Sequence, residues 1–329
     1  MKYNFDLKNK KILVTGGAGF IGSNLCEYLV SKGAYIRCLD NLSTGNKENI
    51  EHLIDKPNFE FIKGDIRDIN TCKSACIDFE YVLHQAALGS VPRSIKDPST
   101  TNEVNISGFL NMLIASRDNN IKRFIFAASS STYGDSKLLP KLEENIGEQL
   151  SPYAITKYVN ELYASNFSKL YSLDFIGLRY FNVFGRRQNP SGPYAAVIPK
   201  FIKLLMDNIS PTIYGDGTFS RDFTYIDNVI LMNVLSICTT KKTAINKIYN
   251  TAVGSQTTIN DLAILLKKYL SKYDAKINEI KLNYSDQREG DIPHSLASIQ
   301  KAKEYLNYNP THSLELGIKD SIDWYWNNI

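Results

Sequence analysis

Two hydrophobic rhythms alternate along the first half of this chain. Short apolar and β-branched runs at 11–15 (KILVT), 35–39, 59–62, 81–87, 124–128 and 175–178 predict six strands. Between them apolar residues recur every three or four positions, as at Ile21, Leu25, Tyr28 and Leu29, and predict helices that include 105–117 and 153–171. Strands alternating with helices imply an α/β fold, a parallel sheet wound on both faces. The alternation stops beyond Arg179-Tyr180-Phe181-Asn182. Residues 185–219 read as turns, broken at 189–193 and at Gly215-Asp216-Gly217. Helical spacing returns at 226–238, 259–270 and 299–306. The expected organisation is a first lobe over residues 1–180, with returns near 226–250, and a smaller α/β lobe over 181–329.

Chemistry enters at the end of the first strand. Gly16-Gly17-Ala18-Gly19-Phe20-Ile21-Gly22 leads straight into a helical pattern. Strand, glycine turn and helix in this order suit a dinucleotide, because bare backbone lets a pyrophosphate approach and the helix start offers N–H donors. Gly17, Gly19 and Gly22 fit one spacing and Gly16, Gly19 and Gly22 another; both stay open. Asp40 closes the second strand near the ~20-residue offset at which an acid meets the adenosine ribose. Its charge repels a 2′-phosphate and favours NAD over NADP, with Arg37 and Lys47 as opposing charges. Asp65 and Ile66 follow the third strand, where an adenine ring can be held, and Ala86 and Ala87 are small enough for a cofactor to lie against backbone. His84 reads as a buried structural residue.

The fifth strand delivers Ser129-Ser130-Ser131 at its carboxyl end, where open α/β sheets bind ligands. Tyr153 and Lys157 stand four apart on the next helix and share a face. An ammonium beside the phenol favours its ionised form and makes tyrosine usable as a base near neutral pH, with a serine hydroxyl to complete the relay. The same pair also fits a core edge and a solvated charge; the upstream glycine turn and serines favour chemistry.

Composition narrows the picture. The chain has 329 residues, 43% hydrophobic and 22% charged, with net charge +4 spread without blocks. That balance implies a globular protein and neither nucleic acid nor a membrane surface as partner. The first residues lack the apolar core of a secretory signal, so a cytoplasmic location is expected. Five cysteines without nearby histidine partners read as reduced thiols rather than a metal site.

Taken in order, TGGAGFIG, Asp40, the serines, YxxxK and RYFNVFG resemble the extended short-chain dehydrogenase/reductase superfamily, from about residue 11 to the end. AALGSVPRSI, SSSTYGD, SPYAITKYVNELYA, RYFNVFGRRQ and REGDIPHSLA are similar to its nucleotide-sugar 4-epimerases, bacterial UDP-N-acetylglucosamine 4-epimerases in particular. The resemblance implies a Rossmann-like sheet with a smaller substrate lobe, and NAD held through each cycle. It implies that Tyr153, with Lys157 beside it, takes the proton of the sugar 4-hydroxyl directly or through Ser129, with Ser130 and Ser131 as helpers. NAD would accept the C4 hydride and return it to the other face of the turned 4-keto sugar.

The same likeness assigns cofactor contacts to Gly16, Gly19, Phe20, Ile21, Asp40, Asn41, Asp65, Ile66, Gln85, Ala86, Ala87, Asn105, Tyr153, Lys157 and Tyr180. It assigns the UDP-sugar to Asn182, Val197, Lys200, Tyr214, Arg221, Arg288 and Asp291, with Ser90 near the hexose. Two arginines suit a diphosphate because the guanidinium fork matches its oxygens, although Arg221-Asp222 also reads as a surface ion pair. Ser295 stands where a tyrosine confines relatives to UDP-glucose and UDP-galactose, and a small residue leaves space for an N-acetyl group. Its plainer reading is a helix cap before Leu296. A homodimer through the helices at 105–117 and 153–171 is also implied. The rival activities are 4-epimerisation of UDP-glucose or of a UDP-hexuronic acid, dehydration, and noncatalytic NAD sensing. Dehydratases carry an Asp-Glu pair where Ser130 and Ser131 stand, and sensors commonly lose the tyrosine or lysine present here.

Overall fold

The alternating runs fold as a wound sheet because its central strands are apolar on both faces and the crossover helices cover them. The structure, a computed structural model, describes residues 5–191, 195–287 and 292–329. Arg288, Asp291 and part of the turn expected at 189–193 lie outside the described residues. In chain order come β1 (Lys11–Thr15), α1 (Phe20–Ser31), β2 (Tyr35–Asp40), β3 (Phe59–Lys63), α2 (Ile69–Cys76), β4 (Tyr81–His84), α3 (Val91–Lys96), α4 (Pro98–Asn102), α5 (Gly108–Asp118), β5 (Arg123–Ser129), α6 (Pro152–Tyr171) and β6 (Phe175–Tyr180). They are followed by β7 (Val183–Phe184), α7 (Val197–Met206), β8 (Thr212–Tyr214), β9 (Ser220–Arg221), β10 (Thr224–Tyr225), α8 (Ile226–Cys238), β11 (Lys247–Thr251), β12 (Thr257–Thr258), α9 (Ile259–Leu270), β13 (Asn283–Ser285), α10 (Gln300–Leu306) and α11 (Leu314–Asn328).

Seven strands pair in parallel in the order β11-β6-β5-β4-β1-β2-β3. This is a Rossmann-like doubly wound α/β sheet, and the direction of winding reverses between β1 and β4. Side chains alternate through it: Ile12 and Val14 join the core shared with α1 and α8, while Leu13 joins Phe109, Phe124, Phe126 and Phe167 on the other face. All six residues of β6 are buried, as a strand covered on both faces requires. Eleven of the 13 residues of α8 are buried, so it lies inside the molecule rather than on its surface.

Several boundaries differ from the sequence expectation. The run at 81–87 leaves the sheet after His84, and Gln85 to Leu88 turn away as a loop. A π-turn, Glu103–Ser107, precedes α5 and interrupts the helix expected from 105. Residues 185–219 contain α7 as well as turns. Pro199 sits in the first turn of α7, where a missing N–H costs nothing. Beneath β5 and β6 a bidentate ion pair joins Arg179 to Glu161 of α6 at 2.8 and 2.7 Å, and Arg179 also donates to the Glu143 carbonyl. No helix among the described residues is long and apolar enough to cross a membrane.

Candidate active site

Where β1 and β4 part, their carboxyl ends open a cavity of about 320 Å³ lined by Gly16, Gly19, Phe20, Ile21, Gly22, Asp40, Asn41, Asp65, Ile66, Gln85, Ala86 and Ala87, among others. Gly16 adopts φ +67°, and a Cβ there would stand 2.7 Å from the Ala86 backbone. A Cβ on Gly22 would strike the Gly16 carbonyl oxygen. Gly17 instead faces inward against Cys26 and Cys38. The structure therefore selects the register of Gly16, Gly19 and Gly22. No side chain caps α1 and no acid lies in its first turn, so the N–H groups at its start and the positive end of its dipole are left for a ligand.

Asp40 lies on the same wall. Its Oδ2 accepts the Ala18 N–H at 2.9 Å and its Oδ1 the Leu42 N–H at 2.8 Å, so it braces the glycine turn, and burial pushes its carboxyl up. Arg37 is turned away, donating to Glu60 and to the carbonyls of Ala75 and Ile77. This leaves a carboxylate, not a cation, to meet the adenosine ribose. Asp65 is held to Arg67 and accepts from Asn41 at 2.8 Å, and its pKa is drawn down to about 2, chiefly by Arg67. Bare glycine backbone, an uncapped helix start and an acid on the ribose side fit a dinucleotide without a 2′-phosphate.

Two of the expected cofactor residues serve from behind. Tyr180 donates to Gln85 at 3.0 Å and accepts from Asn233 at 3.0 Å, fixing Gln85 on the cavity wall. Asn105, in the π-turn, pairs with the N–H and carbonyl of Leu88 and donates to Thr156 on α6. It ties the loop after β4 to the helix that carries Tyr153. His84 is buried between Phe109 and Phe124 with Nδ1 on Thr15, and burial lowers its pKa to about 3. It is a neutral core residue.

At the end of β5, Ser129 stands close enough to the Tyr153 phenol to draw its pKa down. Behind Ser129 stands Ser131, whose hydroxyl donates to the Ser129 hydroxyl at 2.9 Å and whose N–H donates to it at 3.1 Å. Ser130, expected to assist, lines the adjoining cavity without that bond. Lys157 is buried, donates to the Ala127 carbonyl at 2.8 Å, and has its Nζ 5.9 Å from the Tyr153 ring centre. Burial lowers its pKa to about 8. Burial also raises the Tyr153 pKa, and the pull downward comes from Ser129. The spacing argument gave that task to the Lys157 charge, but it omitted the desolvation of the phenol, which is the larger effect here. The start of α6 is held by two serines, Ser151 accepting from Ala154 and Ser94 accepting from Tyr153.

A second cavity, about 800 Å³, adjoins the serines and brings together Ser129, Ser130, Ser131, Asn182, Arg221 and Ser295. No Asp or Glu among the described residues lines it. Val197 and Lys200 in the first turn of α7, and Tyr214 at the end of β8, stand off its wall. Ser90 caps α3 by accepting the Arg93 N–H, next to the wall residues Val91 and Pro92. Ser295 caps no helix: α10 begins only at Gln300. Nor is Asp222 half of a surface ion pair. It is fully buried and accepts from the N–H groups of Val253, Gly254 and Ala297, with a pKa raised by burial to about 6. Sequence reasoning did not find Ser43, Thr44 and Gly45 on the first wall, although a small polar run after Asp40 signals a loop there. Lys141, on the second wall, carried no signal at all.

The model of the NAD dependent epimerase/dehydratase family matches residues 12–252. The chain belongs to that family. A protein named putative UDP-glucose 4-epimerase, from Methanocaldococcus jannaschii, is 37% identical over 96% of this chain and 99% of its own. The solved UDP-N-acetylglucosamine 4-epimerase from Methanobrevibacter ruminantium M1, in complex with UDP-N-acetylmuramic acid, is 39% identical with TM-score 0.91, covering 98% of this chain and 100% of that one. UDP-glucose 4-epimerase from Thermotoga maritima, solved with UDP-glucose, is 36% identical with TM-score 0.87, covering 96% and 98%. Within the family this chain stands among the NAD-dependent UDP-sugar 4-epimerases.

The closed glycine turn and braced Asp40 lead to a testable expectation. Purified protein denatured and separated by chromatography should release NAD in a ratio near one per chain. Recovery of NADP, or of no nucleotide from an active sample, would contradict the reading of the cavity.

Proposed function

We propose that this protein interconverts UDP-N-acetylglucosamine and UDP-N-acetylgalactosamine. The observation that carries the reading is Ser295, a small side chain on the same wall as Ser129 and Arg221, which leaves space for an acetamido group at the hexose C2. NAD, when bound, supplies the acceptor and then the donor of the C4 hydride. Tyr153 takes the proton of the 4-hydroxyl directly or through Ser129, and Ser131 steadies Ser129 from behind. Lys157 holds a positive charge near the phenol from its bond to Ala127. Arg221 and Asn182 receive the diphosphate side of the substrate. Arg288 and Asp291 keep the role their motif suggested. The breadth of the cavity supports turning of the 4-keto sugar, and the lack of an Asp or Glu beside Ser129 among the described residues disfavours acid-assisted elimination. The M. ruminantium relative, solved with an N-acetylated UDP-sugar, supports the acetamido assignment. The M. jannaschii and T. maritima relatives are named for UDP-glucose, a smaller sugar that this cavity also admits.

The activity is tested by incubating the protein with UDP-N-acetylglucosamine, without added NAD, and separating the epimers. Conversion is expected, with a loss of roughly 10²-fold or more in Tyr153→Phe. Conversion of UDP-glucose alone would overturn the assignment of substrate, and near-normal turnover of the variant would overturn Tyr153 as base.

Ser295→Tyr separates the two sugars. Filling the wall should cut kcat/KM for UDP-N-acetylglucosamine about tenfold or more beyond any loss on UDP-glucose, because a filled pocket must reject the larger group. Equal losses would make Ser295 structural.

We also propose a homodimer through α5 and α6. Ile155, Leu162, Leu170 and Tyr171 leave exposed apolar surface along α6 that the monomer does not cover. Light scattering at micromolar concentration should give twice the chain mass; a monomer there would refute the pairing.

A further inference from the structure

Asn182, Arg221 and Ser295 reach the second cavity from three separate stretches of chain, and one buried residue joins those stretches without lining the cavity itself. Asp222 is fully buried between β9 and β10. Its Oδ1 accepts the Val253 N–H at 3.0 Å, and its Oδ2 accepts the Gly254 N–H at 3.0 Å and the Ala297 N–H at 3.3 Å. Its own carbonyl accepts from the Asn182 side chain at 3.2 Å. Gly254 adopts φ +79°, a backbone turn that lets two successive N–H groups converge on one carboxylate as in an anion-binding nest. Segment 293–297 is stitched to the chain before Asp222 by two further bonds: the Ser220 N–H donates to the Pro293 carbonyl and the Ser295 N–H to the Ser220 carbonyl, each at 3.0 Å. The Asp222 carboxylate makes the third fastening of that segment, at Ala297.

The clamp favours one charge state. An ionised carboxylate has lone pairs for all three N–H groups, whereas a protonated one sets an O–H among converging donors and loses acceptor capacity where it is needed. Burial raises the Asp222 pKa to about 6 in spite of these bonds. The titratable side chains on the segments that meet it are Arg221, which donates to the carbonyls of Ser220 and Pro293, and His294, whose Nδ1 pairs with the Ser220 hydroxyl at 2.9 Å. Tyr308 donates to the Ala252 carbonyl behind the nest, and Val253, Gly254 and Ser255 bring no titratable side chain.

We propose that Asp222 is a positioning residue for the nucleotide sugar: its carboxylate fastens residues 253–254 and 293–297 so that Asn182, Arg221 and Ser295 meet the ligand together, and binding selects the ionised clamp. The inference rests on the reading of the second cavity as the UDP-sugar site.

The test is titration calorimetry of the NAD-loaded protein with UDP-N-acetylglucosamine and with UDP-glucose, from about pH 8 to about pH 5, in buffers of different ionisation enthalpy. Both phosphates of a sugar nucleotide are esterified, so neither ligand changes charge over this range. Protonation takes hold as pH falls through the Asp222 value, and binding then has to drive the proton off. Binding should therefore release about half a proton near pH 6 and none near pH 8, and affinity for both ligands should fall about tenfold from about pH 7.5 to about pH 5. A carboxyl whose pKa folding raises adds stability at low pH and loses it as pH rises through the raised value, so its protonation loosens the wall without unfolding the chain, and NAD should be retained throughout. Asp222→Asn should bind both ligands about tenfold more weakly at about pH 7.5, keep its NAD, and show neither the pH dependence nor the proton release. His294→Gln should release the proton as the wild type does. Release that persists in Asp222→Asn, or that vanishes in His294→Gln, would overturn the proposal. Should Asp222→Asn fail to fold, the titrations of wild type and His294→Gln decide it. Absence of binding by either sugar nucleotide at about pH 7.5 would sink the reading of the cavity, and the proposal with it, whereas binding without linked proton release sinks this inference alone.

Discussion

Close backbone approach at the carboxyl edge of the sheet is the constraint on which this molecule depends. Gly16 meets the Ala86 backbone, and Gly22 meets Gly16, with no space for a Cβ at either contact. That proximity lets the start of α1 and the exit of β4 face one cavity, and Asp40 locks the turn by accepting from Ala18 and Leu42. A side chain at Gly16 would force β1 and β4 apart, and one at Gly22 would push α1 off the turn, where the dinucleotide has to enter. The cofactor floor is thus a property of backbone packing, with Asp40 as the charged group that braces its turn.

Tyr153 and Lys157 are positioned by the opposite means, through side-chain bonds to elements far apart in the chain. Ser94 and Ser151 hold the first turn of α6, Asn105 ties Thr156 to Leu88, and Lys157 is fixed to the last residues of β5. Ser131 bonds Ser129 beside the phenol, and the buried lysine is held on the Ala127 carbonyl. Burial raises the cost of ionising Tyr153, so each donor that reaches its oxygen has more effect than it would in water.

The wall of the second cavity is a composite of segments that share no secondary structure. Buried Asp222 gathers Val253, Gly254 and Ala297, and Asn250 gathers Lys141, Ser298 and Tyr133. Both residues leave the sheet side of the molecule rigid while the outer faces of the same segments form the cavity. Arg221 and Ser295 are placed by that framework, through pairing of Ser220 with residues 293–295.

The local signals were sufficient for much of this. Strand, glycine turn and helix are contiguous, Asp40 ends a strand, and Tyr153 and Lys157 are four apart, so each could be read from a single stretch of sequence. Helices 226–238 and 259–270 were legible to the residue for the same reason: their periodicity is internal. What the sequence left open depends on partners distant in the chain. The glycine register was decided by Ala86, Cys26 and Cys38, and the serine behind Ser129 by the tight turn after β5. The role of Asp222 as a buried clamp, and the presence of Lys141 on the wall of the second cavity, required residues more than 30 and 100 positions away to meet them. Periodicity and motif spacing report only what a residue shares with its neighbours; burial and hydrogen-bond partners across the chain come from the tertiary fold, and here they determine which polar groups face the ligand.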